Sequence, residues 1–283
     1  TYFIIAAVGL SFVMIGGGID LSVGYQMSLV GVITAMCMTL YHFPVWVSVG
    51  LGLLLGTFLG LVNGLIVTNI KVFPLIVTIA TSTVFQGISY LISKAQTYRN
   101  YPESFLWLTK GDVLGIPIDV MLTILVVLFA SFVYYKTNFG WNVLALGGNE
   151  EAARLAGIKT KGMKVAVYAI CGFFVAIATM IMISKSNTTS SAFGPGIEFT
   201  VLTAAIVGGI SFMGGEGNML GLVTGVFILA VLGNGMQLAG WGTYAQYIVK
   251  GLILLGAVTF DEYQKMGKRT KKITGNSVEK TNA

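Results

Sequence analysis

The sequence has 283 residues, 55% of them hydrophobic and 10% charged, with a net charge of +6. A soluble domain carries about a quarter charged residues, so this deficit excludes a soluble enzyme or nucleic-acid binder and makes the chain a series of membrane spans of about 20 apolar residues each. Cys37 and Cys171 sit in apolar runs without metal-ligand spacing, and the single histidine, His42, stands at a span end near Pro44 and Trp46, so no metal site is expected.

Apolar runs divided by glycine, proline or charge give nine candidate spans, at about 2–16, 22–40, 45–67, 74–92, 119–136, 164–184, 199–213, 219–236 and 244–260. Backbone groups in lipid have no water to bond, so the spans are expected to be helices and the fold all-α and polytopic. The segments 2–16 and 199–213 are short, which points to interrupted helices or a clipped start. Thr1 leads into an apolar stretch with no charged region before it, so a signal peptide is not the reading. Upstream sequence is expected to be missing, and one more helix there would make ten.

Lys and Arg set the expected orientation. With the C-terminal tail inside, the inner side receives Lys71, Lys136, Arg154, Lys159, Lys161, Lys164, Lys265, Lys268, Arg269, Lys271, Lys272 and Lys280. The outer side receives Lys94, Arg99, Lys110 and Lys185, and twelve against four satisfies the positive-inside rule. Residues 1–264 therefore read as one transmembrane domain with an internal loop at 137–163, followed by a basic, disordered tail at 265–283. The external loop 93–118 carries Tyr98, Tyr101 and Trp107 and reads as an interface-lying segment with aromatic anchors.

Four segments stand out. In "MIGGGIDLSVG", Gly16, Gly17 and Gly18 let the chain reverse, and Asp20 or Ser22 is placed to accept hydrogen bonds from the start of the next helix. A capped turn and a broken helix beside a translocation path both fit. A similar turn recurs in "IVGGISFMGGEGNMLG" with Gly214, Gly215 and Glu216. Gly52, Gly56, Gly60 and Gly64 repeat at four residues and bare one helix face for close packing. In the internal loop, Asn149–Ala156 reads as a short helix with Asn149 as N-cap, Glu150 and Glu151 in its first turn and Gly157 as its stop. Such a helix is either a connector or a docking element for a soluble partner.

"GGGIDLSVG", "ALGGNEEAARLAGI" and "GGISFMGGEGNMLG", with "LGNGMQLAG" and "YIVKGLILLGAV" after them, resemble in order and spacing the ribose-type sugar ABC transporter permeases of the branched-chain amino acid/ribose superfamily. The likeness covers nearly the whole chain; departures are Gly18, where the family more often has another small residue, and a more basic tail. The resemblance implies a multi-pass protein of the bacterial plasma membrane with its C-terminus in the cytoplasm. It implies a second permease subunit (a copy or a close paralogue), a cytoplasmic ABC ATPase that binds ATP and Mg, and an extracytoplasmic solute-binding protein. The segment formed by Asn149, Glu150, Glu151, Ala152, Ala153, Arg154, Leu155 and Gly157 would be the coupling helix, with Ala152 and Ala153 against the ATPase.

The residues agree with that expectation. No GxxxxGK[ST] phosphate loop occurs, so the chain is expected to be no enzyme and to hold no cofactor. An ion-coupled secondary transporter would place ionisable groups deep in the bundle, whereas Asp20, Asp119, Glu198 and Glu216 fall near span ends. Lys250 is the exception, and snorkelling toward the interface is its expected behaviour. The expected solute is a monosaccharide or similar polar molecule, with nucleosides, a furanone-type signal or branched-chain amino acids as the alternative. Asn63, Gln86, Asn187, Phe193, Asn234 and Gln237 are the candidates for the solute path, each asparagine being equally suited to a helix–helix hydrogen bond.

Overall fold

The structure, a computed structural model, describes the backbone of residues 1–70 and 72–281 and the side chains of the same residues through Tyr263. Among the described residues an apolar helix lies at each of the nine expected runs: α1 (Tyr2–Ile15), α2 (Val23–Thr39), α3 (Val45–Ile70), α4 (Pro74–Ser93), α6 (Ile118–Lys136), α9 (Thr160–Ser186), α10 (Ile197–Val207), α11 (Met219–Leu238) and α12 (Thr243–Thr281). Among the described residues six are long and apolar enough to cross a membrane, and α1, α2 and α10 are shorter. Three small helices connect them, α5 (Glu103–Lys110), α7 (Asn138–Gly148) and α8 (Glu150–Leu155). Two pairs of two-residue strands complete the described fold, β1 (Tyr98–Arg99) with β4 (Thr188–Thr189) and β2 (Asp112–Val113) with β3 (Ile116–Pro117). The expectation of a disordered tail from Lys265 concerns side chains outside the described set.

The bundle is built around α9 and α1. Of the most hydrophobic 18-residue stretch of α9, 72% is buried, against 28% for α3, α4 and α6, and α1 is buried from Ile4 onward. Both helices are apolar on every side, which is the pattern of a helix enclosed by others. The glycine row of α3 explains how α9 is enclosed. Gly56 lies against Gly172 and Ala176, Gly60 against Tyr168 and Gly172, and Gly64 against Val165, so the two backbones meet without intervening side chains. The outward faces of α3, α4, α6, α11 and α12 expose apolar residues such as Leu54, Phe58, Leu91, Leu128, Phe132, Phe227 and Leu252. In water that surface would be a liability, whereas lipid or another helix covers it at no such cost.

One span differs from expectation at both of its ends. The run at 199–213 is helical only to Val207, because Gly208 and Gly209 break it and Gly209 takes φ +83°. Its N-terminus begins at depth. The chain leaves α9 at Asn187 and, after the β4 pair, passes down as irregular backbone until Gly194 N–H donates to Ser28 Oγ at 2.9 Å. Ser28 lies eleven residues from the end of α2, so the strap descends about 16 Å at 1.5 Å per residue. Gln86 Nε2 donates to Ser191 O at 2.9 Å, while Ser89 and Ser93 reach the Ser191 hydroxyl at 2.9 and 2.8 Å. Irregular backbone at this depth persists only when buried protein groups satisfy it; Gln86 does so for the Ser191 carbonyl and Ser28 for the Gly194 N–H, while Ser89 and Ser93 fix the Ser191 side chain.

Candidate functional site

At the end of the bundle where α8 lies, three glycine-rich segments meet. Gly17 takes φ +78°, a region that favours glycine, and turns the chain from α1 toward α2. Gly215 N–H donates to Ile15 O at 2.8 Å, joining the turn after α10 to the end of α1. Gly147, near the end of α7, packs between them: a Cβ there would overlap the Ile15 carbonyl oxygen and lie 2.5 Å from Gly215 N. A Cβ on Gly214 would come within 2.7 Å of Gly17 Cα. Only bare backbone fits this junction. Glu216 belongs to the same turn through its carbonyl, which accepts from Ser211 N–H at 3.1 Å.

Helix α7 was not anticipated inside the loop 137–163. Its signals are present in retrospect: Thr137 accepts from Gly140 N–H at 3.3 Å as N-cap, and Val143 and Leu146 supply a buried face. One residue separates α7 from α8, and Asn149 Oδ1 accepts from Ala152 N–H at 3.0 Å, the cap expected of it. Gly157, at φ +87°, ends the segment. Glu150 pairs with Lys164 of α9 at 2.6 Å and Glu151 with Arg154 at 2.5 Å, both at the surface, where such pairs add little to stability. The hydrogen bond from Arg154, and then its charge, hold the Glu151 carboxyl below the usual carboxylate range. That pair therefore persists at neutral pH and loosens only as pH falls through this lowered value.

The face of α8 requires a correction. Ala153, expected against a partner, is only 4% exposed and packs into its own chain, whereas Leu155 is 76% exposed and Ala152 faces outward with it. The spacing placed both alanines on a helix but left the rotation of that helix open, and the short link from α7 settles it.

Beside the junction lies a buried polar cluster. Asp20 is 0% exposed. It accepts from Ser22 N–H at 2.9 Å, Ser22 Oγ–H at 2.5 Å, Gln26 Nε2 at 3.3 Å and Asn63 Nδ2 at 3.5 Å. The Ser22 hydroxyl is thus spent on Asp20 and makes no cap for α2, contrary to one expectation. Tyr168 Oη donates to Ile19 O at 3.1 Å and Leu21 N–H to Thr78 Oγ1 at 3.2 Å, so α1, α2, α3, α4 and α9 all close on this turn. Asp20→Asn is expected to be costly, because an amide turns an N–H toward at least one of these donors. A lost buried hydrogen bond and a donor left unpaired cost about 1–3 kcal/mol. The unfolding temperature of the purified protein should fall by several degrees; an unchanged value would reduce Asp20 to a simple cap, for which asparagine is nearly equivalent.

The six solute-path candidates do not form one site. Asn63 serves Asp20 and Ser22, Gln86 pins the strap, and Asn187 ends α9 in a left-handed conformation while its Oδ1 accepts from Tyr101 N–H at 3.0 Å. Phe193 packs on the core. Asn234 and Gln237 alone come together, lining a cavity of about 490 Å³ among α1, α10, α11 and α12. Among the described residues no group of His, Cys, Asp and Glu could hold a metal.

Apolar helices with a buried strap, a buried polar cluster beside the glycine junction and a short helix at one end make a polytopic membrane protein. Over residues 1–258 the chain matches the family described as branched-chain amino acid transport system / permease component, and it belongs to that family. It is 38% identical to the L-arabinose transport system permease protein AraH of Escherichia coli (strain K12) over 264 residues, 93% of this chain and 80% of that protein. It is 35% identical to the ribose import permease protein RbsC of Haemophilus influenzae over 263 residues, covering 92% and 81% of the two chains. RbsC of Bacillus subtilis (strain 168) is likewise 35% identical over 259 residues, 90% of this chain and 80% of that protein. No solved structure matches the chain. The protein is a multi-pass permease subunit of the ABC importer class and not itself an enzyme, and a subunit of that class works with ATP-binding and solute-binding partners.

Proposed function

We propose that this chain moves a monosaccharide of the arabinose or ribose kind across the bacterial plasma membrane, paired with a second permease subunit and powered by a separate ABC ATPase. The ATPase carries ATP and Mg and seats α8 in a groove on the cytoplasmic side, where the C-terminus also lies; a solute-binding protein delivers sugar at the opposite end. The observation that carries this reading is the combination of an exposed Leu155 on α8 with the backbone junction at Gly147, because a push on α8 reaches both interrupted-helix turns through one short rigid helix. Support for the sugar comes from the names of the relatives, arabinose and ribose permeases matched along nine-tenths of the chain. A neutral sugar needs hydrogen-bonding groups beside apolar surface and must leave again, and Asn234 and Gln237 beside Tyr2 and Phe3 have that character.

The test is uptake of labelled L-arabinose, D-ribose, uridine and leucine by cells with and without the chain. Loss of pentose uptake on deletion, restored by complementation, is the expected result. Loss of leucine or uridine uptake with pentose uptake intact would overturn the substrate reading and leave the permease class standing.

A further inference from the structure

The cavity among α1, α10, α11 and α12 holds a charge that a neutral sugar does not call for. Lys250 lies seven residues into α12, about 10 Å from its start at Thr243. Gln246 precedes it by four residues and lines the same cavity, so both occupy one face of the helix. From α11, Asn234 and Gln237 share a face at i,i+3 and border the same space, and Thr200 of α10 adds a hydroxyl. Lys185 stands at the cavity too, but Asp119 lies 3.7 Å from its ammonium. No Asp or Glu lines the cavity among the described residues. Asp119 is engaged by Lys185 and by the Thr1 hydroxyl at 2.9 Å, and Glu198 is buried where it accepts from Gly196 N–H at 3.0 Å. Among the described residues Lys250 has no ion pair or hydrogen bond of its own.

An ammonium at this depth, half-buried and without a counter-charge, is unfavourable unless something anionic joins it or it reaches the interface. Snorkelling toward the interface, the sequence-based expectation, would carry the ammonium past the same cavity, which Lys250 lines together with Tyr2, Phe3 and Lys185 at the helix ends. The surrounding amides donate hydrogen bonds to oxygen, and lysine is a point-charge binder of phosphate and carboxylate. We propose that this cavity binds one anionic group, a phosphate or a carboxylate, with Lys250 as its charge partner and Asn234 and Gln237 as donors. The group arrives either as the headgroup of an anionic lipid entering between α11 and α12 or as part of an aqueous solute. Asn234 and Gln237 are the groups that the proposed function also offers to a sugar, so an anionic group and a neutral sugar would compete for them.

The experiment uses the purified full chain and compares wild type, Lys250→Gln and Lys250→Arg. Retention of phosphatidylglycerol against phosphatidylcholine is measured by native mass spectrometry. Stabilisation by inorganic phosphate and by D-galacturonate, against D-galactose, is measured by thermal unfolding. At least one anionic probe should bind wild type and Lys250→Arg about tenfold more tightly than Lys250→Gln, with the neutral probes indifferent to the substitution. Dependence on Lys250 for phosphatidylglycerol assigns the group to the membrane, and dependence for phosphate or galacturonate assigns it to an aqueous ligand. Where Lys250→Gln fails to fold, Gln246→Glu replaces it, because a carboxylate one turn away occupies Lys250 and should produce the same loss. Equal binding of every anionic probe to wild type and to the folded variant would overturn the proposal.

Discussion

Gly147→Val is expected to reduce solute uptake at least tenfold while the ATPase still binds. The substitution drives side-chain carbons into the Ile15 carbonyl and the Gly215 amide, which are themselves joined by a 2.8 Å hydrogen bond. Overpacking of this kind costs about 1–3 kcal/mol, and a backbone hydrogen bond lost with it adds about 1 kcal/mol. A penalty near 3 kcal/mol is roughly a hundredfold in an equilibrium constant. The junction therefore opens, and α7 no longer grips the ends of α1 and α10. The neighbouring Gly148→Ala is the control, because nothing lies within 4 Å of a Cβ built there. Uptake assayed alongside ATPase co-purification checks the pair: equal loss in both variants would show that the helix, not the junction, is sensitive.

The second large effect falls on α8. Leu155→Asp should abolish ATPase co-purification and uptake with little change in the unfolding temperature of the free permease. Leu155 is 76% exposed and contributes little to its own fold. Full burial of a leucine in a partner's groove is worth about 1.5–3 kcal/mol, and a carboxylate in its place adds a desolvation cost. Ala153→Arg should behave differently, since Ala153 is 4% exposed and packs inside the chain. It should lower the unfolding temperature itself. A variant at Ala153 that is normally stable but fails to bind would contradict this rotation of α8.

Much of this was legible from sequence because apolar run length and glycine breaks are local signals. Asn149, followed by two acids and then Gly157, specifies both ends of α8 within nine residues, and the α3 glycine row specifies a close neighbour without naming it. What sequence did not contain was partner identity across long separations. The four-residue glycine period does not say that α9 is the helix it meets, and nothing in "GGGIDLS" says that Asn63 will reach Asp20 or that Thr78 will accept from Leu21 N–H beside it. The strap at 190–196 was hidden for a related reason. It is held by Gln86 on the Ser191 carbonyl and by Ser89 and Ser93 on the Ser191 hydroxyl, some hundred residues away, so its irregularity reads locally as an ordinary loop. Gln86 and Asn63, candidates for the solute path, each make hydrogen bonds within the fold, and sequence alone did not name those partners.

The central claim is that this chain transports a pentose only when a separate ATPase engages α8. It is tested most directly in proteoliposomes containing the permease, its ATPase and its binding protein, with ATP enclosed or omitted and with wild type or Leu155→Asp. Labelled pentose should accumulate only with wild type and hydrolysable ATP on the ATPase side. Accumulation driven by a proton or sodium gradient without ATP, and unaffected by Leu155→Asp, would contradict the account.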